Sequence, residues 1–397
     1  MIFMAETNSS LIASENKYEI GVYPKRDIAL VRGSASTVYD ADGKEYIDFT
    51  SGIGVALLGH SHPRIINAIN SQSSRLITCN ESFANDQRAR LLERLAGYWH
   101  SATSTPGRVF LCNSGTEAVE AAIKLARAKT GRKGFVCAMN AFHGRTCGSL
   151  SLTFKPKFRE RFEPLLSPIT RVRLNDISSL QTAVNSDTAA VFLEVIQGEA
   201  GVRPATLEYI RAAREICTNA GALLIIDEIQ TGCGRTGRFF AFEHYKISPD
   251  AATLAKGLGG GVPIGALIAR EDVCALKPLE HGSTFGGNPL ACACANATLD
   301  VIEQEGLLVQ AAQNGEWMLE RLREIASRHS SVIDVRGRGL MLALELNTES
   351  KPILQAAQAK GLLVLAAGDT VIRLLPPLNT SRQVFEKALS ILDSVLP

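Results

Sequence analysis

The sequence lacks an excess of either charge and any hydrophobic run long enough to cross a membrane. Its 397 residues include 42 Lys and Arg against 40 Asp and Glu, which gives a net charge of +2. Because a membrane-spanning helix needs about 20 apolar residues and nucleic-acid binding needs a basic surface, we expect neither kind of partner. Residues 1–4 (Met-Ile-Phe-Met) show no basic region followed by an apolar one, so no signal peptide is expected and a cytoplasmic location is predicted.

Motifs for disulfides and metals are also lacking. The nine cysteines are scattered and no Cys-x-x-Cys occurs among them, so free core thiols are expected rather than a disulfide framework. His60 and His62 could ligate a metal, but no third ligand with zinc spacing lies near them in the sequence. A turn into a helix that starts at Pro63 is the favoured interpretation, and no metal is predicted.

The central part of the chain alternates short β-rich runs with amphipathic helical runs. This pattern is typical of a mostly parallel sheet covered by helices. The predicted strands cover residues 108–112, 135–139, 189–195, 222–226, 251–255 and 264–269. A helix with Leu207, Ile210, Ala213 and Cys217 on one face is predicted to stop at Gly221. The sequence therefore predicts an α/β fold.

The two ends of the chain have a different pattern. Residues 37–49 predict a β-hairpin, and the C-terminal part predicts a helix at 307–329, a strand and a last helix. That last helix is predicted to begin with a capping box of Thr380 and Gln383. Its predicted buried face consists of Val384, Ala388, Ile391 and Val395. We expect an N-terminal segment (1–60) and a C-terminal segment (296–397) to join as a small α+β domain beside a large α/β domain (61–295).

A candidate phosphate site follows the first predicted strand of the central region, where Asn-Ser-Gly-Thr-Glu at 113–117 opens a helix. Ser114 and Glu117 have capping-box spacing, so a purely structural cap is one interpretation. The functional interpretation is that free N–H groups at the helix start, with the Ser114 and Thr116 hydroxyls, hold a phosphate dianion. Unpaired donors and the helix dipole both favour an anion there.

Two further polar side chains follow buried strands. Asp227 comes directly after Ala-Leu-Leu-Ile-Ile, at a strand end where open α/β sheets bind ligands, and Lys256 ends another apolar run. A surface turn and an exposed loop lysine are the alternatives. A lysine amine can hold an aldehyde cofactor as a Schiff base and move a proton, while a carboxylate keeps a pyridine nitrogen protonated. With the phosphate site and Gln230, which could bind the ring's phenolic oxygen, the pattern predicts pyridoxal 5′-phosphate.

A glycine-rich segment at 232–237 formally matches the dinucleotide-binding fingerprint. Gln230 and Thr231 separate it from the strand, the aromatic stretch at 238–244 is not an obvious helix start, and no acidic residue ends a next strand at the required distance. Nicotinamide binding is therefore disfavoured. A nicotinamide enzyme would lack the absorbance of a pyridoxal chromophore, so the absorbance of the pure protein distinguishes the two interpretations.

The motifs together resemble the class III aminotransferases, of fold-type I. They are Phe110 to Glu117, Ala-Phe-His-Gly-Arg at 141–145, Asp-Glu-Ile-Gln at 227–230, Leu-Ala-Lys-Gly at 254–257 and Ser-Thr-Phe-Gly-Gly-Asn-Pro at 283–289. The resemblance covers nearly the full length, from residue 23 onward. Segments 131–133, 198–204 and 371–377 are similar to the acetylornithine aminotransferases and to relatives in lysine biosynthesis that act on carrier-bound aminoadipate semialdehyde.

The resemblance implies a role for each matching residue around the cofactor. Lys256 would bind it covalently, and Asp227 would pair with its pyridinium nitrogen. Gly115 and Thr116 would hold its phosphate, while Thr284 would reach the phosphate of the other subunit in an obligatory homodimer. The ring would lie between Phe142 and Ile229.

Substrate contacts are implied in the same way. Arg145 and Arg373 would receive substrate carboxylates, since planar guanidinium groups bind carboxylates through paired hydrogen bonds, and Ser283 would lie close to the substrate. Glu199 would neutralise Arg373 for an ω-amine donor and swing aside for glutamate or 2-oxoglutarate. A surface position on an edge strand is the alternative for Arg373.

The predicted activity is transfer of the terminal amino group of an N-blocked ornithine or lysine precursor to 2-oxoglutarate, with N-acetylornithine preferred and a substrate on an acidic carrier protein as the alternative. Many acetylornithine enzymes have Val-Asn where this chain has Val55-Ala56, and Glu-Pro where it has Glu194-Val195. A pyridoxal aminomutase is disfavoured by the arginine pair, and a non-catalytic pyridoxal-binding protein by the intact lysine, aspartate and Gln230.

Overall fold

The structure, a computed structural model, describes residues 6–397. The expectation about a signal peptide concerns residues 1–4, which lie outside the described residues. The strands are β1 Leu30–Ser34, β2 Thr37–Asp40, β3 Glu45–Asp48, β4 Gly107–Cys112, β5 Gly134–Ala138, β6 Ile169–Val172, β7 Thr188–Leu193, β8 Ile196–Gln197, β9 Arg203–Pro204, β10 Leu223–Asp227, β11 Ala251–Leu254, β12 Gly265–Arg270, β13 Val332–Arg338, β14 Met341–Leu346, β15 Leu362–Leu363, β16 Leu365–Ala366 and β17 Val371–Leu374. The α-helices are α1 Asn8–Tyr18, α2 Ser51–Gly54, α3 Pro63–Ser73, α4 Asp86–Thr103, α5 Gly115–Thr130, α6 Cys147–Leu152, α7 Pro156–Arg159, α8 Ile177–Ala183, α9 Leu207–Ala220, α10 Pro289–Gln304, α11 Leu307–Ala326, α12 Lys351–Ala359 and α13 Arg382–Asp393.

The central sheet has the order β4-β12-β11-β10-β7-β5-β6. Only β12 runs antiparallel to its neighbours among these strands. Each predicted strand is present, with ends shifted by one or two residues, and the α/β prediction is confirmed. The edge strand β6 was not predicted, because its Ile-Thr-Arg-Val has a single fully buried side chain and no clear alternation.

The directions of these strands bring several carboxyl ends to one edge of the sheet. β5, β7, β10 and β11 are buried along their whole length, so polar residues directly after them are held by a rigid apolar scaffold. β12 begins at the same edge, since Gly265 pairs with Cys112 at the end of β4. α5 and α9 pack on the sheet, and Gly221 ends α9 in the left-handed region (φ +65°) as predicted. Tyr209 is buried on α9, whereas Leu207, predicted on that face, is partly exposed.

The two ends of the chain meet in one sheet, because β15 pairs in parallel with β3 of the predicted hairpin. A second sheet has the order β13-β14-β17-β16. The domain limits stay a prediction; α10 passes through position 295 and packs on α3 and α4.

The start of the last helix differs from the prediction. Ser381 caps α13 by accepting a hydrogen bond from Val384 N–H, while the Thr380 hydroxyl donates to the Pro377 carbonyl instead. The predicted cap was therefore wrong by one residue, because Thr380 is engaged by the preceding turn. The buried face of α13 consists of Phe385, Ala388, Leu389 and Leu392. Of the four residues predicted for that face, only Ala388 is fully buried.

Between residues 6 and 397, no helix has both the length and the apolar character needed to cross a membrane. In the same part of the chain, no group of three or more His, Cys, Asp or Glu side chains is arranged to hold a metal ion. His62 instead caps α3 by accepting from Arg64 N–H, and His60 pairs with Asp48 at 2.8 Å.

Candidate active site

A cavity of about 430 Å³ opens at the edge of the central sheet where the strands end. Most of the residues predicted from the sequence line it. They are Ser114, Gly115, Thr116, Phe142, Arg145, Glu199, Asp227, Ile229, Gln230 and Lys256. Ser283, Thr284 and Arg373 lie outside this lining. The strand-end arrangement therefore gathers residues that are far apart in the sequence around one space.

The amino end of α5 forms an anion cradle in one wall of the cavity. Ser114 accepts a hydrogen bond from Glu117 N–H (3.3 Å), so the structural cap considered above is present. The first backbone bond of the helix is donated by Ala118 N–H to the Ser114 carbonyl (3.1 Å), which leaves the N–H groups of Gly115 and Thr116 outside the helical ladder. Those two donors and the Thr116 hydroxyl suit a phosphate dianion.

The cradle has no room for side chains at its glycines. A Cβ atom at Gly115 would lie 2.8 Å from Ile229 Cδ1, and one at Gly144 would lie 2.4 Å from both the Thr116 and Ser149 hydroxyl oxygens. Such contacts are closer than packed atoms tolerate, so both positions require glycine. The two glycines let Ile229 and the Thr116 hydroxyl approach the backbone closely, and the donors beside them suit the phosphate of pyridoxal 5′-phosphate.

Asp227 is buried at the end of β10 and is held by several donors. Its Oδ1 accepts from Ile229 N–H (3.0 Å) and from the Thr253 hydroxyl (3.3 Å), while Oδ2 lies 2.7 Å from His143 Nδ1. Burial lowers the pKa of His143, but its hydrogen bond to Asp227 and the charges of Asp227 and Glu194 outweigh burial and leave the pKa above the ordinary 6.5. The carboxylate is therefore fixed in place, and the raised pKa of His143 favours the protonated form of its imidazole partner.

Lys256 follows β11 with an unusual backbone conformation. Its φ is +38°, in the left-handed region that side chains other than glycine rarely adopt. Burial lowers the pKa of its amine, which raises the fraction that is unprotonated and able to attack an aldehyde. Backbone strain of about 1–3 kcal/mol at a residue that lines a cavity is typical of functional positions.

The sequence alone gave no role to two residues of the site, His143 and Glu194. His143 lies inside a quoted motif, and Glu194, named only for its neighbour, ends the buried run after β7. Glu194 accepts from the N–H groups of Phe142 (3.0 Å) and Gly198 (3.1 Å), and burial raises its pKa to about 7. The strand-end rule that identified Asp227 would also have found Glu194. His143 had no such signal.

Arg145 lies at the exposed mouth of the cavity. Its guanidinium carbon is 3.9 Å from the centroid of the Phe158 ring and 5.5 Å from that of Phe142. No carboxylate pairs with it in the described part of the chain, so a substrate carboxylate can. Phe142 and Ile229 both line the cavity.

Arg373 lies deeper. It occupies β17, which is paired on both sides by β14 and β16, and is 2% exposed, so the alternative of a surface arginine on an edge strand is wrong. Its Nη1 donates to Glu199 Oε1 (2.7 Å) and Gln230 Oε1 (3.2 Å). The Glu199 pair therefore neutralises a guanidinium that would otherwise be buried without a counter-ion.

Ser283 and Thr284 are placed differently. Ser283 Oγ accepts from Asn113 Nδ2 (2.9 Å), directly behind the phosphate cradle. Thr284 is exposed and does not face the cavity of its own chain.

The glycine-rich segment at 232–237 has a packing function. A Cβ at Gly234 would lie 2.7 Å from Leu308 Cδ2, and one at Gly237 would lie 2.8 Å from Ala312 Cβ, so these glycines admit α11. The next element is a 3₁₀ turn at Ala241–Tyr245 rather than the helix that a dinucleotide site needs.

A first prediction concerns the pH dependence of the Glu199–Arg373 pair. Burial raises the pKa of Glu199, but the charge and hydrogen bond of Arg373 outweigh it and hold the pKa below the ordinary 4.5. A lowered folded-state pKa gives stability that is present above pH 4.5 and lost as the pH falls through the folded value. Glu199→Gln should therefore reduce the free energy of unfolding by about 1–2 kcal/mol at pH 7.

The difference between wild type and Glu199→Gln should shrink only below pH 4.5, and urea unfolding at a series of pH values measures it. Glu320→Gln, at an exposed glutamate without an ion pair in the described chain, is the matched control. A difference that is constant down to pH 3.5 would contradict the assignment.

Comparison with known proteins agrees with this geometry. Residues 22–396 match the family model of "Aminotransferase class-III". The chain is 44% identical to the acetylornithine aminotransferase of Caldanaerobacter subterraneus over 97% of this chain and 99% of the relative. It is also 44% identical to the [LysW]-aminoadipate semialdehyde transaminase of Deinococcus radiodurans, over 98% of this chain and 90% of the relative.

Solved structures give the same family. The ornithine aminotransferase of Toxoplasma gondii, crystallised with partial occupancy of PLP at its active site, superposes with a TM-score of 0.94 at 32% identity, covering 99% of this chain and 94% of that one. The acetylornithine aminotransferase of Elizabethkingia anophelis has a TM-score of 0.85 at 31% identity, with coverage of 98% and 99%. The chain therefore belongs to the class III aminotransferases, and its cofactor is pyridoxal 5′-phosphate.

Proposed function

We propose that this aminotransferase exchanges the terminal amino group of N-acetyl-L-ornithine with 2-oxoglutarate, and that in arginine biosynthesis it runs toward N-acetylornithine with glutamate as the donor. The observation that carries the proposal is the Glu199–Arg373 pair beside a cavity whose mouth holds the unpaired Arg145. An N-acetylated ornithine has one carboxylate, whereas 2-oxoglutarate has two. A site with one free arginine and one masked arginine suits both substrates in turn.

The chain's own residues prepare the chemistry. Pyridoxal 5′-phosphate, when bound, supplies an aldehyde that takes up the amino group and a ring that withdraws electrons from the substrate C–H bond. Gly115 and Thr116 N–H groups bind its phosphate, and Asp227 keeps a proton on its pyridine nitrogen. Lys256 Nζ would take the proton from the substrate carbon and deliver it to the aldehyde carbon of the cofactor, and burial favours this role by lowering the pKa of the amine.

The two arginines distinguish the substrates by charge. Arg145 receives the carboxylate of N-acetylornithine while Glu199 balances the charge of Arg373, so the apolar arm and terminal amine reach the cofactor. When 2-oxoglutarate enters, its carboxylate beside the keto group displaces Glu199 from Arg373, and the distal carboxylate binds Arg145. The exchange replaces one ion pair of Arg373 by another, so the buried guanidinium is never left without a counter-ion.

The test is glutamate formation from 2-oxoglutarate with N-acetylornithine, free ornithine, GABA and carrier-bound lysine as donors. N-acetylornithine should give a kcat/KM at least about tenfold above each other donor, which corresponds to about 1.4 kcal/mol of transition-state preference. Equal values for free ornithine would overturn the proposal.

Carrier-bound aminoadipate semialdehyde is the second candidate. It is favoured by the equal identity to the Deinococcus relative named for that substrate. It is also favoured by Ala56, at a position where many acetylornithine enzymes have Asn, because the neighbouring Val55 lines the cavity. A larger kcat/KM for carrier-bound lysine in the same assay would choose it.

A homodimer completes the proposed site. Phe83 and Phe285 are 70% and 63% exposed, and aromatic side chains are enriched at protein–protein interfaces. Thr284 precedes Phe285 and faces away from its own cavity, so a second copy would bring it to the phosphate of the neighbouring site. Light scattering should give the mass of two chains.

Thr284→Ala should weaken cofactor binding by about tenfold, the effect of one lost charge-assisted hydrogen bond. Equilibrium dialysis of the cofactor measures this effect. Thr182→Ala, at an exposed threonine on α8, is the control. An unchanged affinity in the Thr284 variant would remove the residue from the phosphate site.

A further inference from the structure

Glu199 is carried by a strained turn. The turn, residues 198–202, joins the short strands β8 and β9, whose pairing spans only two residues on each side. Gly201 has φ +101° and Val202 has φ +52°, a region in which a β-branched residue is uncommon. Its internal backbone bonds are long, since Gly201 and Val202 N–H groups donate to the Gly198 carbonyl at 3.3 and 3.4 Å. The turn therefore depends on contacts from outside.

Arg336, on β13, supplies those contacts. Its Nε donates to the carbonyl oxygens of Gly201 (2.9 Å) and Val202 (3.0 Å), and its Nη2 donates to Gly201 (2.6 Å). Its Nη1 is fixed by Asp334 (2.6 Å) and by Glu345. The side chain is 11% exposed, so these bonds are shielded from water. Arg336 thus binds both carbonyls of the strained part of the turn and cannot easily move away.

A second arginine strengthens the same contact from the other side. Arg203, directly after the turn, donates from Nη2 to both carboxylate oxygens of Glu345 (2.9 and 3.1 Å) and from Nε to the Ala200 carbonyl (3.1 Å). Glu345 therefore links Arg203 to Arg336. A charged network therefore links the turn to the sheet of β13 and β14, in addition to the apolar burial of Val202.

The register of that sheet connects Arg336 to Arg373. Both residues pair with Ala343 of β14, one from β13 and one from β17. Directly paired residues project to the same face of a sheet. Arg373, which would bind the substrate, and Arg336, which anchors the Glu199 turn, therefore lie on the same face of one sheet. They occupy the two strands that flank Ala343.

We propose that Arg336 is a positioning residue that sets how firmly Glu199 covers Arg373, and thereby the balance between the two half-reactions. The proposal rests on the proposed function, in which the two substrates make opposite demands. An ω-amine donor needs Glu199 in place, whereas 2-oxoglutarate must displace it. A looser turn should therefore lower the rate of the half-reaction with the ω-amine donor and leave that with 2-oxoglutarate nearly unchanged.

The test uses the holoenzyme with three variants on the same strand. Arg336→Gln removes the charge and the planar fork, Arg336→Lys keeps only a point charge, and Arg338→Gln is the matched control at an exposed arginine of β13. The half-reactions with N-acetylornithine and with 2-oxoglutarate are measured separately from the absorbance of the bound cofactor. Arg336→Gln should lower kcat/KM for N-acetylornithine by about tenfold and change that for 2-oxoglutarate by less than about twofold.

Arg336→Lys should fall between wild type and Arg336→Gln, and Arg338→Gln should match wild type. A merely structural role would lower both half-reactions together. Equal losses in the two half-reactions, or full activity in Arg336→Gln, would overturn the proposal.

Hydrogen exchange separates this inference from the proposed function. In Arg336→Gln without substrate, the amides of Gly201 and Val202 should exchange at least about tenfold faster, while those of α9 stay unchanged. If wild type is inactive with N-acetylornithine but exchange accelerates as expected, the substrate assignment fails and the anchoring of the turn stands. Unchanged exchange at residues 198–202 would contradict the inference that Arg336 anchors the turn.

Discussion

Replacing Lys256 by alanine is expected to lower kcat by at least about 10⁴-fold, with N-acetylornithine or with glutamate. The lysine is asked both to attach the cofactor through its amine and to move the substrate proton. No other lysine lines the cavity among the described residues. Water can replace neither function, because the proton must be carried between two atoms in a confined space.

The fold should survive this substitution. Alanine meets the same backbone strain at φ +38° as lysine does, and removing a buried amine removes the cost of burying it. Lys246→Ala is the matched control, since Lys246 also lies in the left-handed region, at φ +53°, but is exposed. Thermal unfolding of both variants should stay within a few degrees of wild type.

A chemical test distinguishes a lost proton carrier from a distorted site. Ethylamine is small enough to enter the space vacated by the lysine side chain, and it should raise the rate of Lys256→Ala in proportion to its concentration. The same amine should leave Lys246→Ala unaffected. Residual turnover within about tenfold of wild type would mean that Lys256 does not carry the proton.

Lys256 and Asp227 could be predicted from the sequence for one physical reason. Asp227 ends one strand and Lys256 follows another within two residues, both strands are buried along their whole length, and parallel strands of this kind place such residues at one edge of a sheet. Gly115 and Thr116 could be predicted because a strand, a glycine and a helix start follow each other closely. The roles of the remaining residues came from a family resemblance.

Contacts between distant segments could not be predicted in this way. His143 reaches Asp227 across 84 residues, and Arg336 reaches Gly201 across 135. Neither contact leaves a period or spacing in the sequence, since each depends on how loops cross the finished sheet. The register of β13, β14 and β17 is needed to see that Arg336 and Arg373 share a face. The Thr380 cap failed for a different reason, because a local turn directs its hydroxyl to the Pro377 carbonyl three residues earlier.

Replacing Asp227 by asparagine is expected to lower kcat by about 100- to 1000-fold while the cofactor still binds. The amide has nearly the same shape as the carboxylate, but it cannot keep a proton on a pyridine nitrogen through its negative charge. Glu228→Gln is the matched control, because Glu228 is the adjacent buried acid and does not line the cavity. Steady-state rates at pH 7.5 measure the effect, and equal losses in the two variants would argue for a packing role instead.

His143 determines how the Asp227 result is interpreted. Burial lowers the pKa of His143, and in wild type mainly the bond to Asp227 and its charge oppose that effect. In Asp227→Asn the pKa of His143 should therefore fall, so one substitution removes the carboxylate charge and also disfavours the protonated imidazole. His143→Asn keeps a donor near Nδ1 without the charge and should cost about tenfold by itself.

The double variant separates direct from indirect action. If His143 acts only through Asp227, the combination with Asp227→Asn should be no slower than Asp227→Asn alone, because contacting residues are not additive. A double variant that loses the product of both effects would show that His143 acts independently, through its buried Nε2. That atom has no hydrogen-bond partner in the described chain.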